Sequence, residues 1–172
     1  MFDFEAWLAW ASQNSDYALV MIFTLAFLEA CPGIGLFISG AFLLSLASVL
    51  YHQEVLSLSM ISGVASFGAF LSDQLGFYLG RGLGVGLVQA DWMQAHGERL
   101  SRARAFIQRY GALAVIAGRL ATMVRSIIPM TMGIAGFSRW KFLVLDVVAC
   151  CIWGSGLAGL VLGLDSLLGR WF

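Results

Sequence analysis

Read from the amino end, apolar residues come in long runs, and polar or chain-breaking residues separate them. Residues 1–16 form an amphipathic lead with Phe2, Phe4, Trp7, Leu8 and Trp10, and Trp is enriched at membrane interfaces. The first run, YALVMIFTLAFLEACPG, meets Glu29 after about a dozen residues and then breaks at Pro32 and Gly33. A bilayer core of about 30 Å needs about 20 apolar residues in a helix, so this run is too short to cross. A second run, 34–50, ends at the polar stretch YHQE. A third, from Val55 to Leu79, holds Asp73, and a basic segment, 81–110, follows it. The run AGRLATMVRSIIPMTMGIAG, 117–136, is broken by Pro129 and Gly133. A last run, 142–164, holds Asp146.

Composition turns these runs into membrane segments. The chain is 60% hydrophobic and 12% charged, against about 45–50% and about 25% in an average soluble domain. An all-α integral membrane protein follows, with 1–172 as one membrane domain. Charge then sets the topology. No Lys or Arg precedes Arg81, and 1–80 carry Asp3, Glu5, Asp16, Glu29, Glu54 and Asp73. The acidic amino end differs from the basic start of a signal peptide, so no cleaved leader is expected. The positive-inside rule puts 81–110 and the Arg139–Lys141 loop in the cytoplasm, and the lead and the YHQEV loop outside. The broken segment 17–50 therefore has both ends outside, and 112–136 has both ends inside. Each is expected to enter and return as a re-entrant hairpin. Each is paired with a transmembrane helix, at 55–80 and at 142–165. The halves form an inverted repeat, the plan of many secondary transporters, whose sites lie between broken helices near the midplane. The rival topology is four or five plain crossings. Within 81–110, RLSRARAFIQRYG places Leu100, Ala103, Phe106, Ile107 and Tyr110 on one helical face, with Arg102 and Arg109 roughly opposite. That pattern predicts an amphipathic cytoplasmic helix lying in the interface.

Ionisable residues inside apolar runs are the candidate chemistry. An Arg at the centre of a membrane helix costs about 2.5–3.5 kcal/mol, and such residues usually face a cavity or an acid. Arg119 and Arg125 are six residues apart and would point about 120° away from each other on a straight helix. A hairpin unwound near Pro129 and Gly133 aims both at one partner; otherwise Arg119 snorkels to the cytoplasmic edge. Glu29, just before the Pro32–Gly33 break, is the best partner, either as a carboxylate that gains and loses a proton or as half of a structural ion pair. Asp73 is a second protonatable group, or a partner for a base near the inner face. Asp146 is expected to face protein. Cys31, Cys150 and Cys151 lie in apolar surroundings, and His52 and His96 have no ligand at metal spacing, so neither metal nor cofactor is predicted. GRGLGVG has no strand before it and is not a nucleotide loop. Gly76, Gly80 and Gly84, like Gly159 and Gly163, recur every four residues and predict close helix packing in lipid. No nucleophile sits beside a base, so no enzyme is predicted.

Tyr110-Gly111, Gly118-Arg119-Leu120, Arg125, Pro129 and Ala135-Gly136, with Phe142 and Trp153 beyond, resemble the DedA family, whose eukaryotic relatives are the VTT-domain proteins. GAFLSDQLGFYLGRGLG resembles its middle motif, through Gly68, Asp73, Tyr78, Gly80, Arg81 and Gly84, and LEACPG its acidic first hairpin. The likeness covers about 20–160. It implies a lipid transporter of the bacterial inner membrane, acting on undecaprenyl phosphate or on a phospholipid such as phosphatidylethanolamine, often coupled to protons. Glu29, Arg119 and Arg125 match positions regarded as functional in the family. The chain departs from the pattern in three places: Ala41 and Phe42 stand where a second hairpin acid is usual, Ala121 and Thr122 replace a Pro, and Ser72 replaces a Gly. The expected partners are membrane lipids with an anionic phosphate headgroup and protons, with self-association open and no nucleic acid. The expected function is a flippase, with an uncoupled scramblase or a structural membrane protein as alternatives.

Overall fold

The computed structural model describes residues 15–32, 34–88, 109–111 and 125–171. Among the described residues, five helices carry the fold: α1 (Ser15–Ala30), α2 (Gly40–His52), α3 (Leu58–Val88), α4 (Ile128–Ile134) and α5 (Arg139–Trp171), with one 3-10 turn at Ile34–Leu36. No strand occurs among the described residues. Asp16 in the first turn of α1 suits the positive end of that helix. The helix stops at Ala30 because Pro32 disfavours helical backbone at Cys31. The bend closes with the Gly35 amide donating to the Cys31 carbonyl at 2.8 Å. Ser39 then caps α2, its hydroxyl accepting from the Ala41 amide at 3.3 Å. After α2 the chain turns through Glu54, whose φ of 56° is left-handed, and enters α3.

At 1.5 Å per residue, α1 and α2 are about 24 and about 20 Å long, short of the hydrocarbon core, whereas α3 reaches about 46 Å. The 28 residues Arg139–Ser166 of α5 form the one described helix that is long and apolar enough throughout to cross a membrane. Both long helices overrun the segments 55–80 and 142–165. Helix α3 continues through Arg81 to Val88 because the Arg81 side chain reaches the Phe137 carbonyl at 2.9 Å, so its charge finds a partner without the backbone turning. Helix α5 starts at Arg139, directly after a short link from α4. Residues 1–14, Gly33, most of the interfacial segment 81–110 and the stretch 112–124 lie outside the described residues, Arg119 among them.

The described part of the second broken segment turns at 125–127, just before Pro129, and again at its end. Pro129 is the second residue of α4, where its missing N–H is no loss. Gly133 lies inside that helix. The turn at its end falls at Gly136, with φ 75°, after a Schellman closure in which the Gly136 amide donates to the Gly133 carbonyl (3.0 Å) and the Phe137 amide to the Met132 carbonyl (3.1 Å). Gly133 is small for a different reason: a Cβ there would strike the Phe77 carbonyl of α3.

One packed cluster joins Ala18, Ile22 and Ala26 of α1 to Leu43, Ala47 and Leu50 of α2, Ile61 and Ala65 of α3, and Leu157 and Val161 of α5. The recurring four-residue steps put these on single helix faces. A second cluster gathers Phe77, Met132, Phe137, Phe142 and Ala149, with the Phe77 and Phe142 rings stacked at 4.3 Å. Close approach replaces hydrophobic drive in lipid: Gly68 lies against the Phe23 carbonyl and Gly80 against that of Met130. The outer faces are apolar, with Phe37 89% and Phe42 65% exposed. A surface of this kind suits lipid rather than water.

Candidate functional site

The bends of the two halves meet on α3. A Cβ at Gly76 would lie 2.8 Å from Pro32 Cγ and 3.5 Å from Pro129 Cβ, so both prolines rest on this one glycine. Beside them, Glu29 ends α1 and Arg125 opens the turn before α4. Arg125 Nη1 donates to Glu29 Oε1 at 3.0 Å, and each side chain is only 5% exposed. The carboxylate packs against Gly40, the first residue of α2, where a Cβ would come within 2.7 Å of Oε1. The positive end of that helix favours an anion. On the other side, the Arg125 guanidinium carbon lies over the Trp153 ring of α5, 4.8 Å from its centroid. The charges thus come from both halves of the chain, with an aromatic face supplied by the last helix.

Asp73 points elsewhere. It is buried against α5, where one ligand atom each from Asp73, Asp146 and Cys150 lie within 4.8 Å of one another. Gln74 Nε2 donates to Asp146 Oδ2 at 2.8 Å, and the Cys150 thiol reaches Asp146 Oδ1 at 3.8 Å. Two hard oxygens and one soft sulfur suit neither a calcium-like nor a zinc-like ion well. The hydroxyls of Ser72 and Ser126 are buried with no hydrogen-bond partner among the described residues.

Of the residues singled out from sequence, the structure brings together Glu29, Arg125, Pro32 and Pro129, and it puts Asp73 with Asp146. Arg119 and Gly33 lie outside the described residues. Asp146 carries the same mark as Glu29, an acid in an apolar run, and faces protein as expected, buried against Gln74 of α3. Gln74 carried no mark, and Trp153 stood out only through the family resemblance. At the far end of α2, His52 Nδ1 meets Asp165 Oδ1 at 2.7 Å beside a cavity of about 510 Å³ lined also by Tyr51, Glu54 and Ser57.

The fold and the site define a helical membrane protein with a buried arginine–carboxylate pair where two bent segments converge. The VTT domain family matches residues 17–161, and the chain belongs to that family, the DedA family. Among similar proteins, the inner membrane protein YghB of Salmonella typhimurium is 31% identical over 134 residues, covering 77% of this chain and 61% of YghB. The inner membrane protein YabI of Escherichia coli is 22% identical, covering 83% of this chain and 56% of YabI. The uncharacterized membrane protein BU139 of Buchnera aphidicola is 26% identical, covering 87% and 59%. The chain spans about three fifths of the length of the curated relatives it matches. No solved structure matches it. It is an inner membrane protein.

Proposed function

We propose that this chain moves a phosphate-bearing lipid, undecaprenyl phosphate or a phospholipid such as phosphatidylethanolamine, between the leaflets of the inner membrane. The observation that carries the reading is the Glu29–Arg125 pair, buried at the junction of the two proline bends. A buried ion pair adds little net stability, so its presence in an apolar protein argues for use. An Arg presents N–H donors in a fork that fits phosphate oxygens. On this reading Arg125, with Arg119, takes the headgroup phosphate, and Glu29 holds Arg125 between turnovers. Helices α1 and α2, each too short to cross, support re-entry from the outer side. Protons enter through Glu29 as it leaves the arginine, and through Asp73, whose carboxyl lies against Asp146. The chain makes and breaks no covalent bond.

A second reading, an uncoupled scramblase, draws support from α2: Ala41 and Phe42 stand exposed at its start, where the family resemblance expects an acid.

The test is reconstitution in vesicles of phosphatidylethanolamine and phosphatidylglycerol with a trace of nitrobenzoxadiazole-labelled phosphatidylethanolamine. Dithionite quenching then reads flipping. Arg125→Ala should slow it at least tenfold while the protein stays inserted, and an imposed pH gradient should alter the wild-type rate. A rate blind to the gradient selects the scramblase. Full transport by Arg125→Ala, or recovery by the swap of Glu29→Arg with Arg125→Glu, would reduce the pair to a structural contact.

A further inference from the structure

Two of the groups that hold Arg125 use different parts of its guanidinium. Its Nη1 edge donates to Glu29, while Cζ sits over the indole of Trp153. The first partner is an anion and competes with any phosphate for the same N–H donors. The second is a neutral ring, takes none of those donors, and does not titrate near neutral pH. During exchange of carboxylate for phosphate, the arginine passes through a moment when the outgoing anion has left and the incoming one has not docked. A guanidinium anchored by anions alone would be free to swing then. One resting on an indole face keeps its aim.

Trp153 is well placed for this. The next residue, Gly154, lies against Ser66 of α3, where a Cβ would strike the Ser66 hydroxyl oxygen. The Ser66 hydroxyl in turn donates to the Cys150 carbonyl at 3.4 Å. These contacts seat α5 tightly on α3 within one turn of the indole. The ring is therefore presented by an element other than those that carry Glu29 and Arg125, seated through contacts that involve neither charge.

We infer that Trp153 is a positioning residue: its ring holds the Arg125 guanidinium in register while Glu29 and the lipid phosphate alternate on its edge. This rests on the lipid-phosphate reading above. Fluorinated tryptophans placed at position 153 alone weaken the ring's hold on a cation step by step while barely changing its shape. Packing alone would leave such a series flat. Two measurements are made on it, with Trp153→Phe and Trp153→Leu alongside. One is the thermal midpoint in detergent, in the wild type and in Glu29→Gln, where the carboxylate no longer competes with the ring for the guanidinium. The other is dithionite-read flipping of the labelled phosphatidylethanolamine. The midpoint should fall with each fluorine, more steeply in Glu29→Gln. Flipping should fall in the same order, with Trp153→Phe intermediate and Trp153→Leu down on the order of tenfold. A flat midpoint series beside normal wild-type flipping overturns the role of Trp153 and leaves the transport reading standing. A graded midpoint series in a wild type that flips no labelled lipid overturns the transport reading, and the positioning role with it.

Discussion

Removing the Glu29 carboxylate should be among the most damaging single changes in the chain, and most of the damage should vanish when Arg125 goes too. With charge centres about 4 Å apart and an effective dielectric of about 20, the pair attracts by about 4 kcal/mol. Glu29→Ala removes that attraction and leaves a guanidinium, 5% exposed, without its carboxylate. Breaking a buried pair in this way costs about 3–5 kcal/mol. The Trp153 face, 4.8 Å away, offsets about 1–2 kcal/mol of it, so the net loss is about 1–4 kcal/mol. For a chain of this size each kcal/mol lowers the midpoint by about 2–4 °C, so Glu29→Ala should unfold roughly 2–16 °C below wild type. Glu29→Leu with Arg125→Leu removes both charges at similar volume and should lie within about 1–2 kcal/mol of wild type. Thermal unfolding of the detergent-solubilised protein, followed by far-ultraviolet circular dichroism, reads all of these. A Glu29→Ala midpoint within a degree of wild type, or a double variant as low as the two single losses added, would refute the reasoning.

The same unfolding assay checks the packing. Gly133→Ala drives a methyl into the Phe77 carbonyl and the Arg81 amide of α3, neither of which can give way alone, and should cost about 3 kcal/mol. Gly63→Ala, in the same long helix but with nothing within 4 Å of the added carbon, should instead gain about 0.5–1 kcal/mol. Phe77→Ala empties a fully buried site stacked on Phe142 and should cost about 3–5 kcal/mol. Asp165→Asn breaks only the half-exposed contact with His52 and should shift stability by less than about 1 kcal/mol.

What could be read from the chain alone was whatever leaves a local mark. Pro32 ends α1 through the backbone of its own neighbour, so the first bend was visible where it falls. An acid or an arginine in an apolar run stands out wherever it sits, which is why Glu29 and Arg125 could be picked before they were seen to touch. The second broken segment is harder to read, because each of its two marks has more than one meaning. Pro129 can start a helix as easily as break one, and Gly133 is required by the Phe77 carbonyl of another helix, not by a turn. Contacts between distant residues leave no periodic trace. Gln74 donating to Asp146, Arg81 reaching the Phe137 carbonyl, and Phe77 stacking on Phe142 depend on how α3, α4 and α5 lie together. The Arg81 contact goes with an element that differs from expectation, α3 running on past Arg81 to Val88.

The Glu29–Arg125 pair also constrains how the protein is made. Roughly a hundred residues separate its two halves, and at about 5–20 residues per second the ribosome delivers the arginine some 5–20 s after the glutamate. Through that interval α1 has emerged and its counter-ion does not yet exist. The amino-terminal segment should therefore not reach its final seat as it leaves the insertion machinery. It should wait where water solvates the acid, and settle once the second half has been synthesised. A nascent chain halted before residue 125 should hold Glu29 within reach of water-soluble reagents, and the completed chain should not.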